Sequence, residues 1–482
     1  MEIPKPSKSH TKCVVIQNGS HSTIAGFSNV SQPQCVIPSS YICKKNKITN
    51  DQEYIFETFK ILDECEENLQ NNLNDSIEKN VYTLYDNNGL PYNWEGIAKQ
   101  WEYIYKEQLK CDMTEYPLLA LMPVIGKDKK ELEKQIKEEY YKLAFEKFRI
   151  PILYLIPSPL AIAFSLGKKS ALVVDIGAKT CQVTPILDGT IIKDAVMKSK
   201  FAGDFLDYQI MKKLNLIETS TDANNKIDSL KIWLQSNTTI LDFKRQFVQV
   251  TDRKLQEYQR YYEDMNTNMM LGGTNDTNSG LNQEKYFLYR DPVTKNRKTI
   301  ALKLKECYAL GELLFDPLPG LNGTNELDNN NNNNSNHNNT KKDIEGLGIL
   351  MAKSIKKASV VNTSTMGISG NDKDGVHLSN SNSNNNNSSV ASATIVKNNI
   401  STLLDNVIIT GCTSLLQGVE QRIINEISIA FPQYKITTYA NNMLNDRRFQ
   451  SWNGGVNMCN LPSWNLGEWI TRDEYFASKE TE

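Results

Sequence analysis

One short pattern occurs twice in this chain and restricts its fold more than any other feature. The stretches VVIQNGSHST (Val14–Thr23) and VVDIGAKTCQV (Val173–Val183) each read as a strand, a polar turn that contains glycine, and a second strand. Gln17 of the first stretch then corresponds to Asp175 of the second. Two similar hairpins far apart in one chain predict a duplicated fold with two facing lobes. A turn of this kind can wrap a phosphate with its backbone N–H groups, so two of them could clamp a phosphate chain from both sides.

Around these hairpins the chain alternates short strands with helices, which is typical of an α/β protein with mixed sheets. Amphipathic spacing predicts helices at Lys129–Phe148, Leu206–Leu216 and Glu420–Phe431. Pro151 ends the first of these and opens the next strand. The predicted strands have the sequences CVVI, QCVIPSSYI, LLALMP, ILYLI, ALVVDIG, QVTPIL, TIIKDAV, VIITG and KITTYA.

Composition excludes several classes of protein. The 482 residues include 54 basic and 56 acidic side chains, so no net positive field is available to hold nucleic acid, and any contact with DNA would be indirect or through a local patch. Nine cysteines without C-x-x-C spacing and only four histidines favour buried, reduced thiols in an intracellular protein over a metal site. The polar start MEIPKPSKSHTK and the lack of any apolar run near about 18 residues predict neither a signal peptide nor a membrane span.

Polar inserts interrupt the globular pattern, at 64–80, 265–285, 325–343 and 360–392. The last two are dominated by Asn, Ser and Gly, which cannot bury enough apolar surface to offset the entropy of ordering. They are predicted to be disordered, and tolerated low-complexity growth is favoured over a regulatory role.

Five segments, in the right order, resemble the actin fold, which actins share with Hsp70-type chaperones and sugar kinases. Within that group the chain is similar to the actin-related proteins, over nearly its whole length except the inserts. The resemblance implies an α/β, actin-like (actin/Hsp70/hexokinase) duplicated two-lobe fold with a central nucleotide cleft. The five segments are Asn93–Trp101, Phe145–Gly177, Phe201–Leu214, Val407–Ile423 and Asp446–Tyr475.

The same resemblance implies a division of the chain. The first lobe takes residues 1–157 with a small subdomain insert at 40–92. The second lobe takes 158–404, with an insert near 217–290 and disordered Asn-rich loops near 325–343 and 360–399. Residues 405–482 complete the second lobe and return to the first.

Measured against actins, the predicted cleft has lost the groups that hydrolyse ATP. Gln17 and Ala178 stand where actins carry aspartates, and Ile24 stands where they carry a lysine. Ser158 and Gln182 replace the glutamine and the histidine that lie near the attacking water. Phosphoryl transfer depends on a metal, charge stabilisation and an oriented water, so five changes together predict no catalytic residue and no enzyme.

Nucleotide binding without hydrolysis is a separate question, which the sequence leaves open. The glycine turns could still cradle phosphates, or they could persist because the hairpins need glycine. No cofactor is required and no metal site is expected, while ATP bound without hydrolysis stays an alternative. Cys412 replaces a glycine of the family's adenosine turn and adds a side chain there. The candidates for binding a nucleotide are Gly19, Ser20, Asp175, Gly177, Gly203, Lys244, Gly411 and Arg448.

Four stretches narrow the resemblance further: CVVIQNGSHSTIAGFSNV, LPYNW, KFAGDFLDYQ and NLPSWNLGEW. They are similar to the actin-related proteins of the fungal SWI/SNF and RSC chromatin remodellers. This similarity implies a nuclear, non-catalytic structural subunit that pairs with a class-nine actin-related protein. Its other implied partners are the helicase–SANT-associated helix of the remodeller ATPase and further remodeller subunits, with DNA reached only indirectly. The alternatives are a nucleotide-binding, actin-like ATPase and a cytoplasmic actin-related protein.

Actins receive partner helices in a groove, and a helix docks in such a groove through spaced apolar anchors. The resemblance carries this role to one set of apolar and small residues near the hinge and the C-terminus. Self-assembly into filaments is not expected, because Lys44–Leu73 is charged and unlike the corresponding actin loop. The candidates for partner binding are Phe164, Gly167, Met458, Leu461 and Trp464.

Overall fold

The computed structural model describes residues 12–57, 77–216, 229–261, 280–291, 296–321, 344–361, 386–461 and 469–480. In chain order its strands are β1 (Val14–Asn18), β2 (Ser22–Phe27), β3 (Cys35–Pro38), β4 (Ser40–Asn46), β5 (Gln52–Ile55), β6 (Ile77–Thr83), β7 (Leu118–Met122), β8 (Ile152–Pro157), β9 (Ala171–Ile176), β10 (Cys181–Leu187), β11 (Thr190–Ile191), β12 (Met197–Ser199), β13 (Glu284–Arg290), β14 (Arg297–Lys303), β15 (Val407–Thr410), β16 (Thr438–Tyr439) and β17 (Ile470–Thr471). The α-helices are α1 (Trp94–Tyr103), α2 (Lys130–Tyr141), α3 (Ser158–Ser165), α4 (Gly203–Lys213), α5 (Ser229–Phe247), α6 (Leu304–Glu312), α7 (Leu318–Leu321), α8 (Leu347–Ser359), α9 (Asn386–Leu404), α10 (Val419–Ala430), α11 (Leu444–Cys459) and α12 (Arg472–Glu480).

Two six-stranded sheets share the same arrangement of three central strands. The first sheet has the order β17-β8-β7-β1-β2-β3, and the second has the order β11-β10-β9-β15-β16 with β12 beside β10. In each, the strand that leads into the glycine turn runs antiparallel to the strand that follows it and parallel to a third strand, β7 or β15. The duplicated two-lobe α/β fold predicted from the repeated hairpin is therefore confirmed.

The central strands are continuous runs of apolar residues because other elements pack on both faces of each sheet. In β1, Val14 and Ile16 face one buried cluster with α1 and α2, whereas Val15 faces another that contains Trp452 of α11. The second sheet is covered in the same way by α8, α9 and α10 on one face. Burial on both sides explains why period-two alternation is absent from these strands.

Each lobe carries a smaller accessory sheet. In the first lobe β4 pairs with β5 and β6, within the segment expected to form a small insert. In the second lobe β13 and β14 form a two-stranded hairpin that packs on α5. The sequence analysis did not single out this hairpin or helix α8.

Most predicted elements are found, with informative differences. The three predicted helices correspond to α2, α4 and α10, and α2 continues as a π-helical turn over Lys142–Lys147. The predicted strand QCVIPSSYI divides at Ser39 between β3 and β4, which lie in different sheets. The predicted strand TIIKDAV is a strand only at Thr190–Ile191, before a 3-10 turn at Lys193–Ala195.

The second Asn-rich insert ends earlier than expected. Disorder was predicted near 360–399, but Asn386–Leu404 forms helix α9. Its C-terminal half is ordered by tertiary contacts, because Leu403 and Leu404 are buried and the Asn399 amide donates to the carbonyl oxygens of Ser359 (3.0 Å) and Val361 (2.8 Å). The remainder of this insert at 362–385 and the loop predicted near 325–343 lie outside the described residues. In the described part of the chain no helix is long and apolar enough to cross a membrane.

Candidate functional site

The two glycine turns meet at a cleft between the lobes, which has a cavity of about 240 Å³. Pockets that take drug-sized ligands usually measure roughly 300–1,000 Å³, so this cleft is narrow for a nucleotide. The structure brings every predicted nucleotide candidate to its wall. These residues are Gly19, Ser20, Asp175, Gly177, Gly203, Lys244, Gly411 and Arg448.

The two turns have the same hydrogen bond. Gly19 N donates to Ser22 O at 3.1 Å, and Gly177 N donates to Thr180 O at 3.0 Å. A Cβ added at Gly19 would lie 2.8 Å from Ser22 O, closer than side chains approach a carbonyl oxygen. Glycine at position 19 is therefore needed for the turn itself, whether or not a phosphate binds there.

A buried polar network holds the first turn in shape. The Trp101 indole donates to the Asn18 side-chain oxygen (3.1 Å), and the Thr23 hydroxyl donates to the Gln100 amide oxygen (2.7 Å). The Tyr85 hydroxyl donates to Asn18 O at 2.6 Å. All these groups belong to the first lobe, so its turn is organised without a ligand.

The second turn uses donors that could otherwise hold an anion. Free N–H groups at a helix N-terminus bind phosphate. Here Gly203 N, at the start of α4, donates to Gly177 O (3.1 Å), and Asp204 N donates to Ala178 O (2.8 Å). The Thr413 hydroxyl also donates to Gly177 O, at 2.8 Å. The start of α4 is thus bound to the turn rather than open to the cleft.

In each lobe, four residues that are register partners on four neighbouring strands form a row across the sheet, and both rows include residues that line the cleft. The second-lobe row contains an acid and a base, whereas the first-lobe row contains no charged residue. Gln17 reaches the cleft with an amide oxygen that has no hydrogen-bond partner among the described residues. The second-lobe row is Thr410, Asp175, Gln182 and Lys198, and the equivalent first-lobe row is Leu121, Gln17, Ile24 and Val36.

Burial shifts the pKa values of the two titratable residues of this row, Asp175 and Lys198. Burial raises the pKa of Asp175 to about 6, against a smaller opposite effect of Lys198. Burial likewise lowers the pKa of Lys198 to about 8, although Asp86 and Asp175 oppose that change. The sequence analysis missed Lys198, because only the pairing of β12 with β10 brings it beside Gln182.

Replacing Asp175 with Asn is expected to stabilise the chain at neutral pH. Between pH 3.8 and about 6 the folded state holds the Asp175 proton more tightly than the unfolded state, so the free energy of unfolding falls as pH rises through that window. Asp175→Asn should therefore add up to about 3 kcal/mol at pH 7 and nothing below about pH 4. Urea unfolding at both pH values measures this, with Asp242→Asn on the exposed side of α5 as the control. An equal change at both pH values would contradict it.

Ser158 and Gln182, which the resemblance to actins places near an attacking water, bind other groups of the protein. The Ser158 hydroxyl donates to Met122 O at 3.2 Å. The Gln182 amide donates to the Thr184 hydroxyl at 2.9 Å. In this state neither side chain is held by contacts that would aim it at a water in the cleft.

The cleft wall also carries two cations, Lys244 and Arg448. The Lys244 amine forms an ion pair with the Asp207 carboxylate at 2.5 Å, and both side chains are nearly buried. The Arg448 guanidinium donates to the Ser22 hydroxyl at 3.2 Å. The His21 side chain is exposed within the cleft, where reduced solvation, followed by the charges of Arg448 and Lys244, lowers its pKa to about 4, so this imidazole is neutral at pH 7.

One glycine among the nucleotide candidates is required by the backbone. Gly411 has φ of +86°, and a Cβ there would collide with Ile176 O. The next residue, Cys412, exposes its side chain toward the cleft, as its position in the sequence suggested. Among the described residues no cluster of three or more His, Cys, Asp or Glu could hold a metal ion.

Lys179 of the second turn forms hydrogen bonds across the cleft to the first lobe. The Lys179 amine donates to the carbonyl oxygens of Tyr85 (2.6 Å) and Asp86 (3.1 Å), which lie in the first lobe. Tyr85 also donates to the first turn through its hydroxyl, so this one residue links both turns. Lys179 lies within the repeated motif, yet the sequence analysis did not select it.

Replacing Lys179 with Met is expected to weaken this connection between the two lobes. Hydrogen bonds from a charged donor contribute about 1.5–3 kcal/mol, so the backbone amides of Asp86, Gly89 and Leu90 should exchange about tenfold faster or more. Hydrogen-exchange mass spectrometry measures the change. Lys168→Met, which removes a 2.8 Å bond to the Tyr439 hydroxyl outside the cleft, is the matched control. Unchanged exchange at 86–90 in the Lys179 variant would contradict the closing role.

The predicted partner groove lies where α3 and α11 end. A Cβ on Gly454 of α11 would collide with Ala161 O, so the two helices cross at close range. Phe164 at the end of α3 is half-buried and Gly167 beyond it is exposed. Met458 and Leu461 are half-buried at the end of α11, whereas Trp464 lies outside the described residues.

The surface beside this groove is more polar than the sequence predicted. An adjoining cavity of about 370 Å³ has amide side chains along α11, at Gln450, Asn453 and Asn457, next to Ser165 and Leu166. Its apolar lining residues are Val30, Leu166 and Val456. Trp469 packs on Tyr154 with ring centroids 5.2 Å apart and belongs to the core.

Comparison with known proteins agrees with this architecture. The sequence profile of the family described as Actin matches residues 8–366 and 374–479, so the chain belongs to the actin family. The resemblance to actin-related proteins noted in the sequence is confirmed. The chain is 42% identical to Actin-related protein 7 of Saccharomyces cerevisiae, over 97% of this chain and 96% of that protein.

More distant relatives are also actin-related proteins. The chain is 24% identical to Actin-related protein 4 of Debaryomyces hansenii, over 96% of this chain and 94% of that protein. It is 26% identical to the SWI/SNF and RSC complexes subunit arp42 of Schizosaccharomyces pombe, over 46% of this chain and 48% of that protein.

Proposed function

We propose that this chain is a non-catalytic, actin-related structural subunit of an ATP-dependent chromatin-remodelling complex of the SWI/SNF or RSC type, and that it works in the nucleus. The observation that carries the proposal is an actin fold whose cleft has lost its charges on the first-lobe side, at Gln17 and Ile24. The relative described as a subunit of SWI/SNF and RSC complexes, and the 42% identical actin-related protein, support the choice of complex.

The cleft supplies little of what phosphoryl transfer needs. A metal bridging the phosphates requires carboxylate or water ligands, and the developing charge requires cations aimed at it. Asp175 is the one carboxylate of the two glycine turns, Ala178 offers no second one there, and Lys244 is engaged with Asp207 at the cleft wall. Such a cleft suits a rigid joint between the lobes better than an ATPase site.

The proposed partners bind outside the cleft. The helicase–SANT-associated helix of the remodeller ATPase would place apolar side chains between the ends of α3 and α11, against Phe164, Met458 and Leu461. A class-nine actin-related protein would bind beside this subunit to form a heterodimer. DNA would be reached only through other subunits of the complex.

Replacing Met458 with Asp is expected to weaken binding of the ATPase helix. A charge at a half-buried apolar anchor must be desolvated when the helix docks, which should raise the dissociation constant about tenfold or more. Isothermal titration of the purified chain with a synthetic peptide of that helix measures it. Met443→Asp is the matched control, because Met443 is 66% exposed at the opposite end of α11. Binding that is absent, or equal in both variants, would overturn the groove assignment.

The competing function is an actin-like ATPase that uses Asp175 and the paired glycine turns. Single-turnover and multiple-turnover assays on the pure chain separate the two, and the proposal expects no turnover. Multiple turnovers that Asp175→Asn abolishes would establish the ATPase instead. The mass of any nucleotide released on denaturation tests for ATP held without hydrolysis. Localisation of a tagged chain distinguishes the nuclear subunit from a cytoplasmic actin-related protein.

A further inference from the structure

Two ion pairs join the lobes in addition to the contact made by Lys179. The Lys127 amine, in the turn before α2, lies 2.8 Å from the Asp194 carboxylate of the second lobe. The Lys193 amine lies 3.0 and 2.8 Å from the two carboxylate oxygens of Glu133 in α2. We call this group the ionic clasp, and its members are Lys127, Glu133, Lys193 and Asp194.

Each side of the ionic clasp is attached to the core of its own lobe. The two clasp residues of the second lobe lie between Ile192 and Ala195, which are both buried in the core of that lobe. In the first lobe, Ile125 is buried two residues before the clasp lysine. Leu132 and Ile136, on either side of the clasp carboxylate in α2, pack into the same core. The ion pairs therefore form only when the two lobes lie at this separation.

The order of the charges in the ionic clasp fits one relative position of the lobes. Each lobe contributes one lysine and one carboxylate, so a shift that exchanged the partners would bring two lysines together and two carboxylates together, which costs free energy. The Glu133 side chain is only 13% exposed and also lies 3.2 Å from the Lys137 amine. Its attraction to Lys193 is therefore screened less by solvent than an ordinary surface pair.

The ionic clasp lies next to the cleft in both lobes. Val124, three residues before Lys127, lines the cleft from the first lobe, and Lys198, four residues after Asp194, lines it from the second. Because these short segments connect the clasp to the walls, lobes that separate at the clasp also separate at the cleft.

We propose that the ionic clasp holds the cleft closed and makes its opening depend on ionic strength. At low salt the charges attract each other across the gap, whereas at about 1 M salt the screening length falls to roughly 3 Å and the attraction is lost. A single exposed pair contributes little, but two pairs that share a geometry, one of them with a nearly buried carboxylate, should change the population of the open form about fivefold. The inference goes beyond the proposed function, because it concerns how this chain closes its own cleft without a ligand.

The rate at which N-ethylmaleimide alkylates Cys412 in the purified full chain tests the proposal. Cys412 lies on the cleft wall away from the ionic clasp in sequence, and peptide mass spectrometry follows it separately from the other thiols. In the unchanged chain we expect the rate to rise about fivefold between about 20 mM and about 1 M NaCl. The double variant Lys127→Gln with Lys193→Gln should react at the fast rate at both salt concentrations, and its remaining salt response corrects for any effect of salt on the thiol itself.

A charge-exchanged variant separates attraction between the lobes from packing. Glu133→Lys with Lys193→Glu keeps this pair with its signs reversed, so it should restore most of the slow rate at low salt, whereas Glu133→Lys alone should react fast.

The matched control removes one ion pair inside each lobe and none between them. Lys142→Gln breaks a 2.9 Å pair with Glu139 in the first lobe, and Lys213→Gln breaks a 2.5 Å pair with Glu306 in the second. This double variant should react like the unchanged chain at both salt concentrations. An equal salt response in the clasp variant and the unchanged chain, equal acceleration in the control, or a charge-exchanged variant as fast as the neutral one would overturn the proposal. The assay uses the chain without other subunits, so its outcome is independent of the remodeller assignment.

Discussion

Replacing Arg422 with Met is expected to lower the free energy of unfolding by about 3–5 kcal/mol, since breaking a buried ion pair leaves its partner charged and unpaired. The Arg422 side chain is 2% exposed and binds both oxygens of Glu312 at 2.8 Å. It also donates to Glu426 (2.7 Å) and to Arg253 O (2.6 Å), and its guanidinium lies 4.6 Å from the Phe315 ring. Urea or thermal unfolding measures the loss.

The double variant Arg422→Met with Glu312→Leu provides the control for this loss. Removing both charges eliminates the unpaired buried carboxylate, and buried pairs are often replaced by apolar residues at little cost. The double variant should therefore recover most of the stability, while Glu426, which is 19% exposed, can be hydrated. A double variant as unstable as the sum of the two single variants would show that the network matters through packing rather than charge.

Replacing Trp452 with Ala is expected to cost about 3–5 kcal/mol, the usual range for removing a large aromatic side chain from a core. Trp452 is fully buried between α11 and the first sheet, and its indole donates to Val15 O at 3.1 Å. Because α11 carries Met458, the loss should also weaken binding of the ATPase helix. Chemical denaturation and the titration described above measure the two effects.

Trp452→Phe distinguishes the contribution of volume from that of the hydrogen bond. Phenylalanine keeps most of the buried ring but leaves Val15 O without its donor, so a loss of about 1–3 kcal/mol is expected. If the Phe and Ala variants are equally unstable, the hydrogen bond dominates and the cavity argument for Trp452 is wrong.

Together the contacts around the cleft hold the two glycine turns in place and connect the two lobes. The first turn is held by Trp101 and Tyr85, the second turn by the start of α4, and Lys179 connects the lobes across the gap. These contacts occupy donors and charges that a nucleotide would otherwise satisfy. The same contacts keep the turns in shape although neither Gln17 nor Ile24 carries a charge.

Much of the fold could be predicted because it depends on local patterns. The repeated hairpin predicted the duplication, and helical spacing predicted α2, α4 and α10. The eight nucleotide candidates were selected by likeness to actins, and all of them line one cleft. The β13–β14 hairpin was missed because its strands follow a long polar insert that hid the alternating pattern.

The sequence by itself determined the two-lobe α/β fold, since the repeated hairpin depends on short-range periodicity, and its resemblance to actins predicted a loss of charge at Gln17, Ile24 and Ala178. Only the tertiary structure decided that Lys179 bridges the lobes, that Lys198 shares a row with Asp175, and that Arg422 pairs with Glu312. Those contacts join residues on separate strands, helices or lobes. Their distances and burial arise from how whole elements pack, which no local pattern specifies.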